Sequence, residues 1–80
     1  MMGTKWVLIS VFNREISTLV CDSLHEAQDQ MLEELQTYGG VESPQLDTHG
    51  DNFEIDELCA WSNANHHIPQ QDWKIICVMV

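Results

Sequence analysis

The stretch Lys5-Trp6-Val7-Leu8-Ile9-Ser10-Val11-Phe12-Asn13-Arg14-Glu15-Ile16-Ser17-Thr18-Leu19-Val20-Cys21 decides the fold of this chain. Residues 5–12 are an aromatic and β-branched run of strand length, suited to a pleated surface rather than a helix. Asn13-Arg14 interrupts the run, and residues 15–21 resume it with Ile16, Thr18 and Val20 on one face. Two strands joined by two residues form a hairpin, and asparagine tolerates the positive φ that such a turn demands. Everything downstream has to be placed against this ribbon.

Immediately after it, Ser23-Leu24-His25-Glu26 has capping-box spacing. The Ser23 hydroxyl can accept from the Glu26 amide, while the Glu26 carboxylate reaches back to the Ser23 amide. Apolar side chains then recur at Leu24, Ala27, Met31, Leu35 and Tyr38, with Leu32 widening the stripe, which predicts an amphipathic helix. Gly39-Gly40 stops it.

Residues 41–52 carry Pro, Gly, Asn and Asp without periodicity and read as a loop. Phe53, Ile55, Glu57, Cys59 and Trp61 alternate as one strand would, although residues 56–64 could instead form a short helix capped by Asp56. A polar loop over 63–69 leads to a last strand over 73–80, apolar except at Lys74. The expected order is β-β-α-β-β in a single domain spanning residues 1–80. That is an α+β two-layer sandwich, with one helix on one face of a four-stranded, mostly antiparallel sheet. One helix hides one sheet face only. Yet the first strand has Val7, Ile9 and Val11 opposite Trp6, Leu8 and Phe12, and the last strand is apolar on both sides too. A small domain buries little surface to begin with, so spare apolar sheet implies a covering loop, a homodimer or another partner.

Charge is the second constraint. The 80 residues hold 3 Lys+Arg against 13 Asp+Glu, a formal net charge of −10, whereas 44% of residues are hydrophobic, enough to support a core. Three scattered cations cannot neutralise a phosphate track, so direct nucleic-acid binding and docking on anionic membranes are both excluded as expectations. No apolar run is long enough for a membrane span, and the first residues have no leader-like pattern, so a cytoplasmic protein is expected. Cys21, Cys59 and Cys77 lie inside expected strands and read as buried thiols in a reducing compartment.

Residues 22–57 contain 11 of the 13 acids and no Lys or Arg. Asp22, Glu26, Asp29 and Glu33 are spaced to form one row on the helix, opposite the Leu24/Met31/Leu35 stripe. Such a row suits docking on a basic partner protein, a nucleic-acid-handling one being a candidate, by imitating a phosphate track. The plainer alternative is a solvated, solubilising face. Glu54, Asp56 and Glu57 form a second candidate patch.

Other chemistry is thinly represented. The loop Asp47-Thr48-His49-Gly50-Asp51-Asn52 resembles a calcium loop, but its sixth position is Asn52 and its twelfth is Leu58, against the EF-hand pattern. His66-His67 with Asp72, Cys59 or His49 could converge on Zn²⁺ only from a loop, since adjacent strand residues point apart. There is no phosphate-cradling glycine loop and no nucleophile elbow, and neither an enzyme, a cofactor nor a metal is expected. Trp61 and Trp73 flank the last loop and could close it as a cross-strand pair; an exposed Trp beside the acidic helix would instead serve as an interface anchor, burial in the core being the commoner fate.

Ala60-Trp61 and Asp72-Trp73-Lys74-Ile75-Ile76, with Trp6-Val7 and Glu15-Ile16-Ser17, resemble the layout of short uncharacterised proteins of bacteria and their phages. The resemblance covers about half of the chain and carries no site residues. It implies a setting of accessory or mobile-element genes, in which acidic α+β inhibitors of host defence, anti-CRISPR-like proteins among them, are a common type. The combined expectation is a small acidic protein-binding inhibitor or adaptor. The alternatives are a homodimeric structural or regulatory module built on the uncovered sheet face, and a histidine metal site.

Overall fold

Asn13 and Arg14 both adopt positive φ, 47° and 70°, so the ribbon turns as its two-residue connection requires. The structure, a computed structural model, describes residues 3–64 and 69–79. β1 (Thr4–Phe12) and β2 (Glu15–Cys21) form the expected hairpin, and α1 (Leu24–Thr37) follows. Beyond them lie β3 (Thr48–Gly50), β4 (Phe53–Ile55), β5 (Cys59–Ser62) and β6 (Gln71–Met79). All neighbours pair antiparallel, in the order β2-β1-β6-β5-β4-β3. The α+β class and the single covering helix are as expected, but the sheet has six strands rather than four.

The two additional strands come from residues 41–62. Part of the expected loop pairs as β3, and the single strand expected over 53–61 is a hairpin of β4 and β5. The burial pattern explains why. Ile55 is buried at an odd position, whereas Ala60 and Ser62 are buried at even positions. A regular strand cannot switch parity in this way, because its side chains alternate strictly. The chain instead reverses through 56–58, with the Asp56 amide donating to the Cys59 carbonyl at 2.8 Å. The short helix considered for this segment does not form.

Packing starts from α1. The Ser23 Oγ accepts from the Glu26 amide at 3.1 Å, as the capping box requires. The reciprocal bond differs from expectation: Glu26 Oε2 accepts from the amide of Asp22 rather than that of Ser23. Ala27, Met31 and Leu35 are fully buried against Leu8, Ile55, Trp73 and Ile75. Met31 and Leu35 each contribute about 1.5–3 kcal/mol when withdrawn from water, and the Ala27 methyl less. Tyr38, expected on this stripe, is the C-cap and stays 53% exposed, its ring 5.2 Å from that of Phe12. The helix has already ended there, so the stripe has lost its period.

Polar groups fix how the helix sits. Glu34 Oε1 accepts from Ser10 Oγ at 2.8 Å and from the Trp73 indole N–H at 3.3 Å, while Oε2 accepts from the Gln30 amide. At the helix end, Ser62 Oγ donates to the Gly39 carbonyl at 2.6 Å and Gln71 Nε2 to the Tyr38 carbonyl at 2.9 Å. These satisfy the carbonyls of the C-cap and of the residue after it, and so fix the chain where it leaves the helix. Gly39 is required by close approach: a Cβ there would lie 2.7 Å from the Leu35 carbonyl oxygen and 3.1 Å from the Trp73 ring.

Trp61 and Trp73 do not pair. The register sets Ala60 opposite Trp73 and Trp61 opposite Asp72, so the two indoles occupy opposite faces. Of the three thiols expected to be buried, only Cys21 is; Cys59 is half-buried and Cys77 exposed. Cys77 is opposite Trp6, two pairs beyond the buried Leu8–Ile75 pair.

Glu33 and Glu34 adjoin in sequence but differ in environment. Replacing Glu34 with Leu leaves a buried hydroxyl and indole N–H without an acceptor, and should cost about 1–3 kcal/mol in urea unfolding. Glu33→Leu should stay within about 0.5 kcal/mol of the wild type. Equal losses from the two substitutions would refute the inward role of Glu34.

Candidate partner-binding site

The helix was expected to carry Asp22, Glu26, Asp29 and Glu33 as one continuous acidic row. The structure keeps three of them together. Glu26, Asp29 and Glu33 are exposed on α1, away from the buried stripe, and Asp29 Oδ2 lies 3.2 Å from His25 Nε2. Asp22 precedes the helix and makes an ion pair with Lys5 of β1. Its place is explained by the hairpin: Trp6 pairs with Cys21, so Lys5 and Asp22 follow as the next opposed positions. The row is therefore shorter than its sequence spacing suggests, and one of its members, Glu26, also closes the helix cap.

The pair affects both partners. The Lys5 hydrogen bond, and after it the Lys5 charge, hold the Asp22 carboxyl below the usual carboxylate range, and the Lys5 ammonium is correspondingly raised. Both groups are exposed, so solvent and salt weaken the interaction. The sign is definite nonetheless. Asp22 contributes stability above the ordinary carboxylate pKa, and loses it as pH falls through the lowered folded value.

The second acidic patch is divided by the β4–β5 hairpin. Glu57 lies in the turn, where its carbonyl accepts from Gln28 Nε2 of the helix. Glu54 stands on the sheet face opposite α1 and accepts from the Trp61 indole N–H at 3.3 Å. Asp56 accepts from the Cys59 thiol at 3.7 Å. Burial first, and then the Asp56 charge, push the Cys59 thiol pKa up, which disfavours a reactive thiolate.

That open face carries a groove of about 390 Å³. Its walls include Ile9, Val11 and Trp61, with Glu54, Asp56 and Asp72 as acids and, among the described residues, Lys74 as the one cation. Register creates the arrangement: Glu54 and Asp72 are the direct cross-strand neighbours of Trp61, one on either side. Asp72 is opposed in turn by Val11, and Val11 by Ile16. Sequence reasoning placed Asp72 only beside His66-His67 and missed the groove, because three separate strands have to pair before Glu54, Trp61 and Asp72 meet. It was the alternation along each strand that could have signalled the shared face.

Towards β2 the same face is apolar and uncovered. Ile16 is 72% and Val20 64% exposed, with Val7 and Ile76 paired beside them. The spare apolar sheet anticipated from the sequence is thus real among the described residues, where Ile16, Val20 and Ile76 stay exposed.

Among the described residues, no three His, Cys, Asp or Glu side chains are grouped to hold a metal ion. His66 and His67 lie outside the described residues. His49 is on β3, opposite Glu54. Among the described residues, no helix is long and apolar enough to cross a membrane. No protein-family model, curated protein or solved structure matches the chain.

In the Lys5→Met variant, the Asp22 carboxyl should titrate at a higher pH than in the wild type, as read from its carboxyl carbon by NMR. An unmoved midpoint would show that Lys5 does not hold it down.

Proposed function

We propose that this protein is a small acidic protein-binding module, an inhibitor or adaptor, that presents a nucleic-acid-mimicking surface to a basic partner. The observation that carries the reading is charge segregation: residues 22–57 hold 11 acids and no Lys or Arg. Glu26, Asp29 and Glu33 on α1 follow one another at spacings that set neighbours about 5–6 Å apart. Such a row attracts a cationic groove at long range and blocks it on contact, with no chemical step. A nucleic-acid-handling protein is the partner class whose surface is built for such a row. The phage or mobile-element setting, with anti-CRISPR-like inhibitors as the nearest type, rests on the resemblance of the Ala60-Trp61 and Asp72-Trp73-Lys74 segments alone. A cytoplasmic site of action accords with the three free cysteines.

Charge reversal tests the reading. Glu26 is spared because it caps the helix. Asp29→Lys with Glu33→Lys should remove the partner captured by the wild type from source-cell lysate, while circular dichroism stays unchanged. The wild-type complex should release at moderate salt. Undiminished capture by the double variant would refute the row as the docking surface.

A second reading is favoured by the exposure of Ile16 and Val20 beside Val7 and Ile76: a homodimer closed over the open sheet face. Sedimentation velocity should then show a dimer that persists at high salt and dissociates on Val20→Asp. A monomer at all salt concentrations refutes it.

A further inference from the structure

We propose that the groove on the open sheet face receives an arginine side chain from the basic partner. The inference rests on the basic-partner reading, but assigns the specific contact to the sheet rather than to the helix.

The groove's volume, about 390 Å³, lies near the lower end of the range for ligand sites, so it suits one or two side chains rather than a large molecule. Its composition selects the occupant. Ile9 and Val11 offer apolar surface to an aliphatic stem, which long cationic side chains bury while keeping the charged head elsewhere. The head has a destination in Glu54 and Asp72, which flank Trp61 through cross-strand register, with Asp56 also on the groove. Trp61 is half-buried, and its indole N–H is committed to Glu54, which ties the ring to a carboxylate. Asp72 is steadied by the Gln70 side-chain amide at 3.3 Å.

An indole beside carboxylates matches a guanidinium better than an ammonium. The guanidinium is planar and weakly hydrated, stacks on aromatic faces and bonds carboxylates in parallel pairs. Among the described residues, three carboxylates against the single ammonium of Lys74 leave the groove net negative, which disfavours an anionic occupant. A second copy of this chain is a poor source of the cation. Its net charge is −10, and Arg14 is its one arginine.

The test is a ¹H–¹⁵N NMR titration of the whole protein with a capped pentapeptide of alternating alanine and arginine, and with its lysine counterpart. Saturable shifts of the Trp61 indole N–H and of the Glu54 and Asp72 amides are expected, with the arginine peptide binding more tightly. Glu54→Gln with Asp72→Asn should weaken it about tenfold, whereas Asp29→Asn with Glu33→Gln should not. Retained spectral dispersion in each variant separates lost binding from lost folding.

Shifts confined to α1 would overturn the groove while leaving the basic-partner reading standing. Equal binding of the two peptides would overturn the choice of arginine. No saturable shift anywhere would also overturn the groove, and the lysate capture would then judge the wider reading independently. Concentration-dependent broadening at Ile16 and Val20, without a peptide effect, would assign the face to a second copy.

Discussion

Trp73 is the contact on which the rest of the fold depends. It is 2% exposed, meets Phe12 edge-on with ring centroids 5.5 Å apart, and donates its indole N–H to Glu34. Gly39 has no side chain where the ring passes. Strand β6 is thereby joined to the end of β1, to the last turn of α1 and to the glycine just past it by one side chain. An aromatic body with one polar tip is well suited to this position, since its area is buried while its donor finds a partner.

Around it, a narrow polar seam limits the ways in which helix and sheet can fit together. Hydrophobic burial is indifferent to direction, and an apolar stripe could slide along the sheet at modest cost. Ser10 and Trp73 converging on Glu34, and Ser62 and Gln71 reaching the carbonyls of Gly39 and Tyr38 just past the helix, are directional. A displaced helix would strand several of these groups without partners, each at a cost of about 1–3 kcal/mol. The seam thus selects one arrangement among the many that the core alone would allow.

Having one helix for six strands leaves the molecule two-sided. The helix side spends its inner surface on the core and exposes a short acidic row. The open side combines an apolar field near β2 with a carboxylate-edged groove near β4 and β5. This division matters for function, because the two acidic regions face away from each other across the sheet. A basic partner would meet one by charge alone, and the other by charge together with shape.

What the sequence by itself determined was local. The Asn13-Arg14 turn, the Ser23 cap, the Ala27/Met31/Leu35 stripe and the stop at Gly39 are signals read within a few residues, and all appear in the structure. The acidic bias and the surplus apolar sheet follow from composition and alternation, which no packing can alter. Only the tertiary structure decided what depends on distant partners. It set Ala60 rather than Trp61 against Trp73, reversed the chain at 56–58, and turned Glu34 inward while its neighbour Glu33 faces water. It also took Asp22 from the helical row to Lys5, and gathered Glu54, Trp61 and Asp72 from three strands. The physical reason is common to all of these. Strand register and helix orientation are settled by the simultaneous burial of apolar groups and pairing of polar ones across the whole sheet, and no local stretch of chain contains that condition.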